Sequence, residues 1–309
     1  MKKKFITKRY KKSNDKFLFI MLLFILGLYI GYSYLDNYSR KIDNKELVNL
    51  LLHESNHNNN FNNKLFNKLF NIFNEKPVSI INYNYHNLVS SKKISKVKKM
   101  VYKKEPIIYI YNTHQTEEYS LNNYLVHNVK PTVMMNDYIL QDVFNKNNYP
   151  TIVEERKVKD ILNLHKWNYS YSYKASRILM EDSYSKNKSL KYFIDIHRDS
   201  ISKDKTTISI NNKNYAKILF IVGLENRNYK TNLEFTTKIN NIINNKYPKL
   251  SRGIYKKKGP RVNGIYNQDF SSNTILVEIG GKDNTVDEVL NSTLAFSKCF
   301  MEVISTDER

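Results

Sequence analysis

A chain of 309 residues with 41% hydrophobic content is long and apolar enough to form a real core, which excludes a wholly disordered protein. Its net charge of +21 predicts attraction to polyanions, namely nucleic acid, anionic lipid headgroups or cell-wall polymers. The single cysteine, Cys299, excludes an internal disulfide and a cysteine-rich zinc site. We expect this thiol to be packed within an amphipathic helix.

The N-terminus has the pattern of a membrane anchor. Residues 1–16 form a basic tail, and residues 17–35 form an uncharged apolar run. A helix of about 20 apolar residues spans the roughly 30 Å hydrocarbon core of a bilayer. Tyrosines near the outer end of the run and the lack of a small-x-small cleavage pattern favour an uncleaved anchor over a removed signal peptide.

The basic tail fixes the expected orientation of this anchor. By the positive-inside rule the tail stays in the cytoplasm, so the rest of the chain is predicted to face outward. A body outside the membrane seldom meets nucleic acid, and the chain has no recognisable RNA-binding signature. We therefore expect no nucleic-acid partner, and wall polymers and lipid headgroups become the favoured polyanions.

Residues 36–104 are predicted to be a stalk and linker. Leu47, Leu50 and Leu51 have helical spacing, which predicts a helix whose apolar face contacts a partner or the rest of the protein. A lysine-rich run closes this segment, and Pro106 marks the entry into a domain predicted to occupy residues 105–309.

Strands and helices are predicted to alternate from residue 107 onward. The predicted strands lie at 107–111, 151–155, 192–196, 217–222 and 274–279, and the predicted helices lie at 134–147, 169–180, 230–246 and from 285 onward. Thr285 and Glu288 have the spacing of a capping box at the start of the last helix. This alternation predicts an α/β fold with a largely parallel sheet flanked by helices.

Three of the predicted strands end in side chains that bind metals or protons. His114, Glu117 and Glu118 follow the first strand, His197 follows the third, and Glu278 lies near the end of the last. The carboxyl ends of parallel strands border one crevice, which would bring these groups within reach of one ion. A catalytic zinc takes three such ligands, and a nearby carboxylate then moves protons. From the residues alone, two interpretations remain open: a metal site, or ordinary polar groups at the ends of strands.

Ordered stretches of the chain resemble the stage II sporulation protein P family, membrane-anchored peptidoglycan hydrolases of the zinc-amidase superfamily. They are Ile110–Tyr119, Trp167–Arg177, Ile194–Asp199, Ile218–Gly223, Tyr247–Pro248 with Arg252–Tyr255, Tyr266–Gln268, and Leu276–Gly281 with Asn284. The resemblance implies cleavage of the amide between N-acetylmuramic acid and L-alanine, with a second activity on peptide cross-links. It also implies a role in spore engulfment or septal wall remodelling, with stage II sporulation proteins D and M as partners.

The same resemblance implies roles for individual residues. By position, His114 and His197 correspond to ligands of zinc (Zn²⁺), and Glu278 corresponds to the catalytic glutamate. Glu117 stands at the family's glutamate position, but Glu118 adjoins it, so Glu117 is preferred as the third ligand while Glu118 stays open.

Further residues are predicted to support this site. Strand alternation places Asp195 on the same side as His197, so we expect Asp195 to orient the imidazole. Tyr169 and Arg177 are predicted to line a glycan or peptide groove, with core and rim packing as the alternative.

Two positions depart from the family's pattern. Asn112 stands where a histidine is expected, and Gln115 replaces a hydroxyl residue. These departures motivate one alternative to the amidase, a wall-binding scaffold that has lost the chemistry. A different extracytoplasmic zinc peptidase is a separate alternative, which only substrate data would exclude. The presence of His114, His197 and Glu278 favours an enzyme.

Overall fold

The computed structural model of the chain describes residues 20–30, 43–52, 105–120 and 130–307. It contains two compact units, Met1–Lys41 and Ile42–Arg309.

The first unit is described only by one helix, α1, over residues 20–30. Its large apolar side chains are exposed. The rest of the predicted anchor and the whole basic tail lie outside the described residues. In the described ranges, no helix has both the length and the apolar composition that a membrane crossing requires.

The second unit holds the remaining elements. Its helices are α2 (Asn44–Leu52), α3 (Met134–Lys146), α4 (Val158–Leu164), α5 (Ser172–Lys186), α6 (Lys203–Thr206), α7 (Tyr229–Lys246) and α8 (Val286–Asp307), with a 3-10 helix at Tyr169–Tyr171. Its strands are β1 (Ile108–Tyr111), β2 (Thr151–Val153), β3 (Tyr192–Asp199), β4 (Thr207–Ile210), β5 (Lys213–Ala216), β6 (Ile218–Gly223), β7 (Ser251–Lys257) and β8 (Thr274–Gly281).

Helix α2 lies within the range predicted as stalk, where leucine spacing indicated a helix. Its Leu47, Val48 and Leu52 side chains are buried in the main core of the second unit. The Asn44 side chain also accepts a hydrogen bond from the Thr132 N–H. This helix therefore packs as part of the second unit, whereas most of the predicted stalk lies outside the described residues.

A mostly parallel sheet forms the centre of the second unit. Its six strands have the order β2-β1-β3-β8-β6-β7. Strands β2, β1, β3 and β8 are parallel to one another, as the alternation predicted. Strand β6 runs antiparallel to β8, and β7 runs parallel to β6. Strand β7 and the β4–β5 hairpin are missing from the sequence prediction.

Alternation along the strands gives the sheet two different faces. Ile110, Ile194 and Ile275 are register partners on one face and belong to the main core, which includes buried side chains of α3, α7 and α8. On the other face, Tyr109 and Phe193 pack with Met180 of α5. Residues at odd positions of β3 therefore face α5, and their line continues to Asp195 and His197.

The predicted capping box of the last helix is confirmed. The Thr285 N–H donates to the Glu288 carboxylate, and the Glu288 N–H donates to the Thr285 hydroxyl. These two bonds satisfy backbone donors that a helix start otherwise leaves unpaired. Cys299 is a free, buried thiol on this helix, as expected.

Candidate metal centre

The order of the strands brings the three predicted strand ends together. Strands β1, β3 and β8 are consecutive parallel neighbours, so their carboxyl ends share one edge of the sheet. His114 lies in the turn that directly follows β1. His197 lies in β3 and is the register partner of Glu278 in β8. Strand pairing thus brings together residues that lie far apart in the sequence.

His114, Glu117 and His197 form a compact cluster in this crevice. Each offers one ligand atom, and these atoms lie within 4.8 Å of one another. Glu117 Oε1 is 3.4 Å from His114 Nδ1, and Glu117 Oε2 is 3.6 Å from His197 Nδ1. The rings of the two histidines are nearly perpendicular, with centroids 5.1 Å apart. One carboxylate therefore bridges two imidazole nitrogens around a common point.

The geometry separates Glu117 from Glu118. The Glu117 side chain is 20% exposed and faces the two histidines, whereas the Glu118 side chain is 51% exposed and lies 3.5 Å from the Lys130 ammonium. Successive side chains in an extended segment point to opposite sides, so only one of two adjacent glutamates can face the crevice. That residue is Glu117.

Asp195 lies behind His197 as strand alternation predicted. Its Oδ1 is 3.0 Å from His197 Nε2, a short ion pair in which the ring N–H direction is not aligned for a hydrogen bond. Asp195 also accepts hydrogen bonds from the Thr113 N–H and hydroxyl. It therefore connects β3 to the turn that carries His114, while His197 Nδ1 is left facing Glu117.

Charges in the cluster are arranged to hold a cation. Burial favours the neutral acid of Glu117, but contacts with both histidines and with the Arg198 N–H outweigh it and lower the pKa of Glu117 to about 2. Burial also disfavours charged His197, but Asp195 and Glu117 raise the pKa of His197 to about 10. Two carboxylates thus stabilise positive charge at this point, and the His₂Glu donor set suits a zinc-type ion.

Glu278 stands beside the cluster in a different electrostatic state. Burial and the nearby Asp199 carboxylate raise the pKa of Glu278 to about 7, against the opposing effect of His197 and Arg252. Such a carboxyl group exchanges its proton near neutral pH, which is the property that a general acid–base residue requires.

An arginine from the sheet edge reaches the same place. Arg252 in β7 donates through Nη1 to Asp199 Oδ2 at 2.6 Å, and its side chain is 19% exposed. The stretch containing Arg252 was among those that carry the family resemblance, but sequence reasoning did not place it at the site. Gly253 interrupts the strand pattern there, with φ of +94°, so β7 itself was not predicted.

Aromatic rings form one rim of the crevice. Tyr169 stacks on His114 with ring centroids 4.9 Å apart, and Tyr173 stacks on His197 at 6.4 Å. Tyr266 contacts Tyr173 edge-on at 5.3 Å. The predicted position of Tyr169 at a groove therefore agrees with its contacts, although its role with substrate stays a prediction.

Arg177 contacts residues outside the cluster. Its guanidinium pairs with Glu181 and with Asp269, at 2.7 and 2.8 Å, and lies over the Phe270 ring. These contacts tie α5 to the loop that joins β7 and β8. In this position Arg177 connects α5 to that loop, and a substrate role for Arg177 stays a prediction.

The two departures from the family's pattern have structural partners. The Asn112 amide is buried and donates to Asp137 Oδ1 and to the Ile196 carbonyl, so it links α3 to β3 on the far side of the sheet from the cluster. Gln115 donates to the Arg156 carbonyl and accepts from the Val158 N–H, which fixes the start of α4 against the turn. Neither residue replaces a member of the cluster.

Solved structures show a distant likeness to this fold. The CwlD amidase from Clostridioides difficile, solved in complex with the GerS lipoprotein, gives a TM-score of 0.42 at 12% identity, over 65% of this chain and 100% of that one. An N-acetylmuramoyl-L-alanine amidase from Clostridium difficile 630 gives a TM-score of 0.37 at 12% identity, over 66% and 97% of the two chains.

Sequence comparison is more specific. The chain is 32% identical over 203 residues to stage II sporulation protein P of Bacillus subtilis (strain 168), which is 64% of this chain and 51% of that protein. The chain thus spans about half the length of this curated relative. The sequence profile of stage II sporulation protein P matches residues 37–301. This match covers most of the chain, which therefore belongs to the stage II sporulation protein P family.

Proposed function

We propose that this protein is a zinc-dependent peptidoglycan hydrolase that cleaves the amide between N-acetylmuramic acid and L-alanine. The observation that carries the proposal is the convergence of His114, Glu117 and His197 beside Glu278 on adjacent parallel strands. Membership in the stage II sporulation protein P family supports a wall substrate during sporulation, with spore engulfment or septal remodelling as the proposed process.

The residues of the chain divide the work between holding the ion and moving protons. His114, Glu117 and His197 would hold the zinc ion, and Asp195 would orient His197. When bound, zinc supplies a Lewis acid that polarises a carbonyl and lowers the pKa of water to about 7. Glu278 takes a proton from the attacking water and later returns it to the departing nitrogen. The C–N bond breaks, leaving a lactyl carboxylate and the free amine of L-alanine.

The proposed topology follows from the N-terminal sequence. Residues 17–35 would anchor the protein as a single span, with residues 1–16 in the cytoplasm and the 105–309 domain outside. Residues 36–104 would connect the two, with α2 packed on the domain. Stage II sporulation proteins D and M are the proposed partners.

Digestion of purified peptidoglycan tests the activity. The full chain in detergent is incubated with zinc or with a chelator, and the released fragments are analysed by mass spectrometry. We expect free lactyl termini and free L-alanine amines with zinc, none with chelator, and a loss of about 100- to 10,000-fold in Glu278→Gln, which keeps the shape but not the base.

The products also separate the alternatives. A wall-binding scaffold would co-sediment with peptidoglycan and release nothing in any condition, which would reject the hydrolase. Release of fragments cut only within the peptide would reject the amidase and support a zinc peptidase. Both kinds of product together would support an amidase with a second activity on cross-links.

A further inference from the structure

The two sides of the site present different side-chain chemistry. In the sheet order, β1 and β7 lie on opposite sides of the β3–β8 pair that carries His197 and Glu278. The start of β7 lies at the site end, because Ser251 pairs with Ile218, which in turn pairs with Ile279 of β8. A long substrate lying across the strands at Glu278 would have one part over the β1 side and another over the β7 side.

The β1 side presents aromatic rings. Tyr169 stacks on His114 and remains 59% exposed. Next along the chain, Tyr171 is 45% exposed and stacks on Trp167 with centroids 5.6 Å apart. Asn168 caps this 3-10 helix by accepting from the Ser170 N–H, which fixes the ring positions. Flat, preordered rings with open faces favour a ligand with extended apolar faces, such as a pyranose ring.

The β7 side presents a cation with unused donors. In the described part of the chain, Asp199 is the one acceptor that Arg252 bonds, through Nη1. A guanidinium carries five N–H donors in a planar fork, so donors remain beside Glu278 for a second acceptor. Asp199 also accepts the Ser200 and Ile201 N–H groups, which holds the ion pair in place. This arrangement suits a planar anion, and a carboxylate fits the fork best.

The proposed substrate has matching halves. The glycan consists of pyranose rings, and the lactyl carboxyl of muramic acid is consumed in the scissile amide. The stem peptide carries free carboxylates, the first of them on the second residue. In an extended chain this group lies roughly 7 Å from the scissile carbonyl, at about 3.3–3.6 Å per residue. Strand β7 lies two strands, or roughly 10 Å, from β8. The long side chain of Arg252 shortens the distance between its guanidinium and Glu278.

We propose that Arg252 binds the free α-carboxylate of the second stem-peptide residue, so that the peptide lies over the β7 side and the glycan over Tyr169. The inference rests on the proposed amidase function and deepens it. It makes Arg252 a specificity residue that distinguishes an acidic second residue from its amide.

The test compares two synthetic disaccharide-peptides that differ only in having the acid or the amide at the second residue. We expect zinc-loaded full-length protein to favour the acid about tenfold or more in kcat/KM, chiefly through KM. Arg252→Gln should reduce this preference to below about twofold, and Arg252→Lys should keep part of it because the charge remains. Lys256→Gln, which removes a charge from the opposite end of the same strand, should leave the preference unchanged.

A preference measured within each variant is independent of how much protein folds. Tyr169→Ala should raise KM for both compounds equally and leave their ratio intact. A wild-type enzyme indifferent to the amide, a preference that survives Arg252→Gln, or a ratio that depends on Tyr169 would each overturn the inference.

Binding measurements distinguish failure of the Arg252 inference from failure of the proposed amidase function. Calorimetric titration of both compounds into zinc-loaded Glu278→Gln, with and without Arg252→Gln, measures the same preference without cleavage. Cleavage of both compounds with no Arg252-dependent preference rejects the inference and leaves the amidase standing. Arg252-dependent binding without any cleavage by the wild type rejects the amidase and supports a carboxylate site.

Discussion

The two faces of the central strands carry different side chains: one face buries apolar groups and the other carries ionisable groups. On one face, Ile110, Ile194 and Ile275 sit side by side on β1, β3 and β8. On the other face, β3 and β8 carry Asp195, His197 and Glu278, with carboxyl groups and imidazole removed from water. The first face gains stability simply by excluding solvent. The second requires a specific partner for each polar group, because an unpaired buried charge is costly.

This difference teaches where stability and function reside in the fold. Every ionisable group of the crevice has a charge or donor nearby: Asp195 has Thr113 and His197, and Glu117 has both histidines. Glu278 differs in having charges nearby but no hydrogen-bond donor among the described residues, and burial and the Asp199 carboxylate raise its pKa to about 7. A carboxyl left in this state is destabilising for the fold and useful for proton transfer.

Truncation on the apolar face should have the largest effect on stability. We expect Ile194→Ala to lower the free energy of unfolding by about 2–5 kcal/mol, since Ile194 is fully buried in the main core. Urea denaturation measures this loss. Metal affinity of the folded fraction should be unchanged, and a matched loss of metal affinity would contradict the division between the two faces.

Removing the ionisable carboxyl of the partly buried Glu278 should have the opposite effect on stability at high pH. The folded pKa of Glu278 is raised from 4.5 to about 7, so the folded state binds this proton more tightly than the unfolded chain. The contribution of Glu278 to wild-type stability therefore falls as the pH rises from about 4.5 to 7, and Glu278→Gln lacks that loss. In metal-free protein, we expect the variant to be more stable at pH 8 by up to about 3 kcal/mol, at 1.36 kcal/mol per pKa unit.

Urea denaturation in the presence of a chelator, at pH 4.5 and pH 8, checks this prediction. The two proteins should have nearly equal stability at the lower pH, because the folded Glu278 carboxyl is then neutral and the unfolded one is only half ionised. A constant difference at both pH values would show that packing, and not ionisation, distinguishes them.

Asp195→Asn should have a moderate effect on the metal site. The amide keeps the shape of the side chain but removes the charge that orients His197, so we expect zinc affinity to fall by about 10–100-fold. Competition with a zinc indicator measures this change. Unchanged affinity would show that Asp195 serves only to join β3 to Thr113.

The smallest expected effect concerns the helix that covers the apolar face. Thr285→Ala removes one half of the capping box at the start of α8, so the free energy of unfolding should fall by about 1 kcal/mol. Thermal unfolding of the two proteins measures it. A loss that also changes metal affinity would link this cap to the crevice through the end of β8.

Strongly patterned elements were predictable from the sequence. Strands β1, β3, β6 and β8 are compact apolar runs, and α8 has both an apolar face and a capping box, so local chemistry alone identifies them. The β4–β5 hairpin was missed although the sequence carries a local signal for it. That signal is the Asn211–Asn212 pair, since both residues adopt the positive φ that a tight hairpin turn requires. The direction of β6 could not be predicted, since a run buried on both faces carries no directional information.

The sequence by itself determined the family and which residues stand at the ends of strands, because a strand's boundary and its ionisable neighbours are local properties. Only the tertiary structure placed Glu117, and not Glu118, against the histidines and brought Arg252 from the sheet edge to Asp199. Both outcomes depend on the pairing of strands far apart in the chain. Strand pairing determines which groups each side chain faces, whereas adjacency in the sequence does not determine this.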